Sequence, residues 1–151
     1  MSTKQISLLK RNFFFKVILH FFLKKGNLKV AEHNIKLLFQ NLFIKTNLGD
    51  YSIISKIYKI LYINFEIKNI KKRKTSHIVP IPLTKKRRFF IITKWLFQVV
   101  SADKQRISVV DKLTVEILKY INDQQSESLI KKSVSETLAL KHRSNVHFRW
   151  Y

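Results

Sequence analysis

Apolar residues return every three or four positions through most of this chain, and every second position in one short segment. Residues 13–25 predict a first helix, closed by Gly26, with Lys24 and Lys25 at the negative end of its dipole. Asn27 is expected to cap a second helix running to about Lys45, whose Ala31, Ile35, Leu38 and Leu42 share one face. Residues 46–50 read as a loop, and Asp50 is expected to cap a third helix. Ile53, Ile54, Ile57, Ile60 and Leu61 form the stripe of that helix, with Lys56 and Lys59 off it.

Residues 65–84 change period. Phe65, Ile67 and Ile70 on one side, and Ile78, Val79, Ile81 and Leu83 on the other, are strand formers. Lys71 to Lys74, followed by Thr75 and Ser76, then makes the tip of a hairpin. Pro80 and Pro82 are two apart, so both can turn the side that lacks an N–H to the outer edge of a two-stranded ribbon. Thr84 is expected to cap a fourth helix over about Lys85–Val100, apolar around most of its girth and hence central, with Trp95 packed in the core. After a linker over 101–106 comes a fifth helix that buries Val110, Leu113, Ile117 and Ile121. A polar loop over 123–128 leads to a sixth over about Leu129–Lys141. The resulting fold class is mainly α: six helices with a protruding two-stranded β-hairpin between helices 3 and 4. Residues 1–12 form a short N-terminal arm and 13–151 one domain, with a C-terminal tail over 143–151.

Composition supports a folded domain, since 46% of the 151 residues are hydrophobic. Charge gives it a direction. The formal net charge is +21, split as +7 over 1–50, +11 over 51–100 and +3 over 101–151. Nine basic side chains lie between Lys68 and Arg88 with no acid among them. Like charge at that density repels itself unless a polyanion sits against it. Lys85, Lys86, Arg87 and Arg88 also occupy the first turn of a helix, where the dipole is already positive and where a phosphate would bind well. A protruding ribbon and helix ends suit folded RNA, and no DNA-reading motif is present.

Catalytic and metal readings fall away. There is no cysteine, the five histidines lack ligand spacing, and two glycines cannot build a phosphate-binding loop. Glu32 and Glu66 read as local ion-pair partners. The longest apolar stretch, Phe13 to Leu23, is broken by Lys16 and His20 and is too short to span a bilayer. No secretory signal or transit peptide is recognised at the N-terminus. The rival reading is a peripheral membrane-surface protein with basic amphipathic helices, prompted by the five phenylalanines of the first helix.

Four islands carry a resemblance. They are Gly26 with Ala31–Glu32, Glu66 and Lys68 with Val79–Pro80–Ile81, Arg87–Arg88 with Lys94–Trp95, and the ending His147–Phe148–Arg149–Trp150. Together, over roughly residues 17–151, the chain resembles the small-subunit ribosomal protein seven family, as a divergent mitochondrial member. It departs at Asn27–Leu28, where the family has basic residues, and at Arg73–Lys74, where it has paired glycines. The basic N-terminal arm is also reduced to Lys4, Lys10 and Arg11. Abundant Phe, Ile, Lys, Asn and Tyr fit AT-rich coding, and mitochondrion is preferred to plastid because divergence is heavy.

The resemblance implies a structural role, not an enzyme, with no cofactor. It implies binding to the 3′ major domain of small-subunit rRNA, nucleation of head assembly, and proximity to exit-site tRNA and mRNA. Neighbouring head and platform proteins, notably small-subunit protein eleven, are the implied partners, and no membrane is involved. The candidate RNA-contacting set is Lys10, Arg11, Lys24, Lys25, Lys68, Lys71, Lys72, Arg73, Lys74, Lys85, Lys86, Arg87, Arg88, Lys94, Arg143, Arg149 and Trp150. Neutralising about eight phosphates would give a log-affinity against log-salt slope of roughly −6 to −7.

Overall fold

A computed structural model of the chain describes residues 13–122 and 124–150, Trp150 through its backbone alone. Among the described residues, six α-helices run in order: α1 (Phe13–Phe22), α2 (Leu28–Thr46), α3 (Asp50–Ile60), α4 (Lys85–Ala102), α5 (Val109–Ile121) and α6 (Glu127–Lys141). Strands β1 (Phe65–Lys72) and β2 (Thr75–Pro82) pair antiparallel between α3 and α4, and a 3₁₀ segment (Arg143–Trp150) follows α6. The predicted fold class holds in element order and hairpin position.

Local chemistry explains the boundaries. Asn27, Thr84, Ser108 and Ser126 each accept a backbone N–H three residues on, capping α2, α4, α5 and α6. The Ser126 cap starts α6 at Glu127, two residues before the expected start. Asp50 is not a cap. Gly49 holds that position without a side-chain bond, and Asp50 is the first helical residue. Its charge suits the positive helix end, although burial pushes its carboxyl above the usual value. After α1, both Lys25 (φ 50°) and Gly26 (φ 76°) are left-handed, so the turn strains a lysine as well as using the glycine.

Helix α1 packs on α2 and α4, while α5 packs on α2, α3 and α4. Their facing stripes meet in one core that includes Phe14, Ile35, Leu42, Ile53, Leu61, Ile92 and Leu113. The phenylalanines of α1 that prompted the membrane reading serve this core: Phe14, Phe15 and Phe22 are buried. Among the described residues, no helix is long and apolar enough to cross a membrane. Helix α4 is central through Ile91, Ile92, Leu96, Val99 and Val100, but Lys94 and Gln98 keep one side open. Trp95 is half-buried and lies outside the core cluster, contrary to the expectation of core packing.

A buried polar knot joins α5 to α6. Glu116 Oε1 accepts from Tyr120 Oη and Ser128 Oγ, both at 3.1 Å, and Tyr120 also bonds Ser128. Lys119 Nζ donates to Glu116 Oε2 at 3.2 Å, so the carboxylate is satisfied on both oxygens. Burial pushes the Tyr120 phenol well above its ordinary range.

Candidate nucleic-acid interface

Two features fix where the cations sit: the register of the hairpin and the way its root is clamped to α4. Leu83 N–H donates to Asn64 O at 3.0 Å, so 64/83 is a hydrogen-bonded pair. Antiparallel pairs alternate, and the register Phe65↔Pro82, Ile67↔Pro80 puts both prolines at non-hydrogen-bonded positions. Their ring nitrogens therefore face the outer edge, as their spacing predicts. Two outward carbonyls of that edge are occupied too. Asn145 Nδ2 donates to Ile78 O at 3.0 Å, and Arg149 Nε donates to Pro80 O at 2.9 Å. The 3₁₀ segment thus covers the edge of β2 and blocks pairing by another strand. It is pinned further by Phe148, whose ring stacks on His77 at 4.1 Å and lies 5.4 Å from Lys72 Nζ.

At the tip, Lys72 pairs with Thr75 and the turn is Arg73–Lys74. Arg73 is left-handed, with φ 54°. Such a conformation costs a non-glycine residue on the order of 1 kcal/mol.

Folding brings one acid into the acid-free span. Glu66 Oε1 and Oε2 accept from Arg87 Nη2 and Nε at 2.6 and 3.0 Å. These bonds, with Lys68 and Lys94 nearby, hold the Glu66 carboxyl below its usual range, and the carboxylate raises Arg87 in turn. Arg87 also lies 5.1 Å from the Phe90 ring. Arg88 turns the other way. It is 8% exposed, donates Nε to Ile63 O at 2.7 Å and Nη1 to Tyr58 Oη at 3.1 Å, and lies 4.3 Å from the Tyr62 ring. An RNA contact by Arg88, expected from the sequence, is therefore withdrawn: its guanidinium is spent inside the fold.

The remaining candidates separate by exposure. Lys68, Lys71, Arg73, Lys74, Lys85, Lys86 and Lys94 are exposed, along β1 and the hairpin tip, in the first turn of α4 and at its middle. None of these seven has an ion-pair partner among the described residues. Lys24, Lys25 and Arg143 are exposed as well, at the end of α1 and the start of the tail. Lys72 and Arg149 are half-buried and engaged by Phe148 and Pro80. Lys10, Arg11 and the Trp150 side chain lie outside the described residues. Among the described residues, no group of His, Asp or Glu is placed to hold a metal ion. The geometry presents exposed cations along the ribbon and α4, a chemistry that suits phosphate groups.

Comparison with known proteins adds a family. The model of the family described as ribosomal protein S7p/S5e matches residues 5–143. Small ribosomal subunit protein uS7m of Drosophila melanogaster is 29% identical over 85 residues, covering 56% of this chain and 38% of that protein. The same-named protein of Gallus gallus is 30% identical over 86 residues, covering 56% and 36%. Small ribosomal subunit protein uS7A of Aquifex aeolicus is 23% identical over 133 residues, covering 85% and 81%. The matches therefore span little more than a third of the two animal relatives and about four fifths of the bacterial one.

Proposed function

This chain belongs to the ribosomal protein S7p/S5e family, and from that premise we propose that it is a structural, non-enzymatic protein of a mitochondrial small ribosomal subunit. Its RNA partner is the 3′ major domain of the small-subunit rRNA, where it starts assembly of the head. The hairpin reaches towards exit-site tRNA and mRNA, and the neighbours are head and platform proteins, notably small-subunit protein eleven. One observation supports the RNA-binding part: seven exposed cations, without ion-pair partners among the described residues, lie on β1, the hairpin tip and α4. Compact proteins do not accumulate such repulsion without a polyanion to relieve it. The mitochondrial assignment is supported by the uS7m relatives, whose suffix marks the mitochondrial form.

Recognition here is electrostatic and shape-based. Lys71, Arg73 and Lys74 present charge at the ribbon tip, and Lys85 and Lys86 present it beside the free N–H groups of α4. Arg87 ties Glu66 of β1 to the start of α4, and Arg88 fixes the segment just before β1 through Ile63 O. Gradient fractionation of mitochondrial lysate, probed for this chain, tests the assignment. The chain should travel with the small subunit in magnesium and leave it only when the particle unfolds. Migration with membranes or as free protein would overturn the assignment.

A further inference from the structure

A series of ring contacts follows α4 towards its start and ends on an arginine. Phe21 of α1 stacks on Phe97 of α4, with centroids 5.1 Å apart and planes at 23°. Phe21 also meets Phe90 of α4 at 5.4 Å. The Arg87 guanidinium then lies over the Phe90 ring, 5.1 Å from its centroid. The three phenylalanines are half-buried, whereas the Arg87 side chain is 44% exposed. The series therefore opens to solvent at Arg87.

Arg87 is also held still. Its Nη2 and Nε donate to the two oxygens of Glu66 at 2.6 and 3.0 Å, and this fork fixes the plane of the guanidinium. The carboxylate also offsets the charge, so Arg87 has less to offer a phosphate than the unpaired Lys85 and Lys86 beside it. What it still presents is a flat, delocalised surface whose ordering cost is met before any ligand arrives. Unpaired bases in folded RNA stack on such arginine planes as they do on aromatic rings. Lys68 and Lys94 are exposed and close enough to act on the Glu66 carboxyl, so cations for the flanking phosphates stand beside the plane. Resting on the RNA-binding reading above, we infer that Arg87 is a stacking plate for an unpaired nucleobase of the rRNA. The base adds the next layer to Phe90 and Arg87, and Lys68 and Lys94 take its phosphates.

Substitutions that keep either the charge or the flat face of Arg87 decide between stacking and phosphate contact. Arg87→Ala, Arg87→Lys and Arg87→Trp are each made in the full chain together with Glu66→Gln, so that no carboxylate is left unpaired. Glu66→Gln alone is the reference. Arg87 is exposed enough for the replacements to leave the core intact. Filter binding to the 3′ major domain transcript, corrected for the folded fraction, gives the affinities. Arg87→Ala should weaken binding about tenfold, the loss expected for one stacked base. Arg87→Trp should recover most of that loss and Arg87→Lys little of it. Recovery by Lys and not by Trp would make Arg87 a phosphate contact and overturn the inference. Equal recovery by both, recovery by neither, or no loss on Arg87→Ala would overturn it too. If the unaltered chain does not bind the transcript, the RNA-binding reading itself falls, and the stacking plate with it.

Discussion

Arg88→Ala separates a structural arginine from an RNA-contacting one. The side chain is 8% exposed, and its guanidinium supplies Ile63 O at 2.7 Å and Tyr58 Oη at 3.1 Å. Hydrogen bonds from a charged donor contribute about 1.5–3 kcal/mol each, and stranding the buried Ile63 carbonyl costs about 1–3 kcal/mol. Water entering the vacated space offsets part of that, leaving a net loss of about 3 kcal/mol. Against a stability of about 5–15 kcal/mol this is large, and it corresponds to a Tm lower by about 6–12 °C at this chain length. Arg88→Lys keeps the charge but gathers its donors on one nitrogen, which serves one of the two oxygens that Nε and Nη1 reach, and should lose about half as much. Thermal unfolding measures the first effect; filter binding to the 3′ major domain transcript at several salt concentrations measures the second. Once corrected for the folded fraction, the salt slope of Arg88→Ala should equal that of the wild type. A Tm unchanged together with a shallower slope would refute the burial argument and return Arg88 to the RNA surface.

Glu66→Gln should remove a pH dependence. The wild-type carboxyl is held below its ordinary value of 4.5 by Arg87, so the pair's contribution is complete above that pH and lost as pH falls through the lower folded value. The contribution is about 0.5–1 kcal/mol for a partly exposed bidentate pair, and the difference in unfolding free energy between neutral and acid solution reads it. Arg73→Gly should stabilise the hairpin by up to about 1 kcal/mol by relieving the left-handed arginine; chemical denaturation that shows a loss would contradict the strain. Asn145→Ala should free the Ile78 carbonyl and loosen the tail, costing about 1 kcal/mol, visible as faster amide exchange over residues 143–149.

Much of the architecture was legible because it is local. Periodicity set the helices, and Asn27 and Thr84 marked helix starts that the structure keeps. The two-residue spacing of Pro80 and Pro82 set the edge of β2. What escaped is non-local. Glu66 and Arg87 are 21 residues apart and meet only because the hairpin folds back on α4. Arg88 differs from Lys85 and Lys86 by its angle on the helix, which puts it on the face of Ile91 and Ile92. That periodicity was available in the sequence, but the charge run masked it. The covering of β2 by Asn145 and Arg149 joins residues nearly 70 apart, and no local pattern announces it. Asp50 misled for a smaller reason: Gly49 can adopt the extended cap conformation itself, which moves the aspartate one place into the helix.

The most direct test concerns the crowd of cations itself. With Lys68, Lys71, Arg73, Lys74, Lys85, Lys86 and Lys94 as the exposed set, log affinity for the 3′ major domain transcript should fall with log salt at a slope of about −5 to −6. Replacing Lys71, Lys74, Lys85 and Lys86 together by Ala should make that slope shallower by about 3 while leaving Tm unchanged or higher. A slope near zero in the wild type, or one that survives the fourfold replacement intact, would mean that RNA is not what these charges are for.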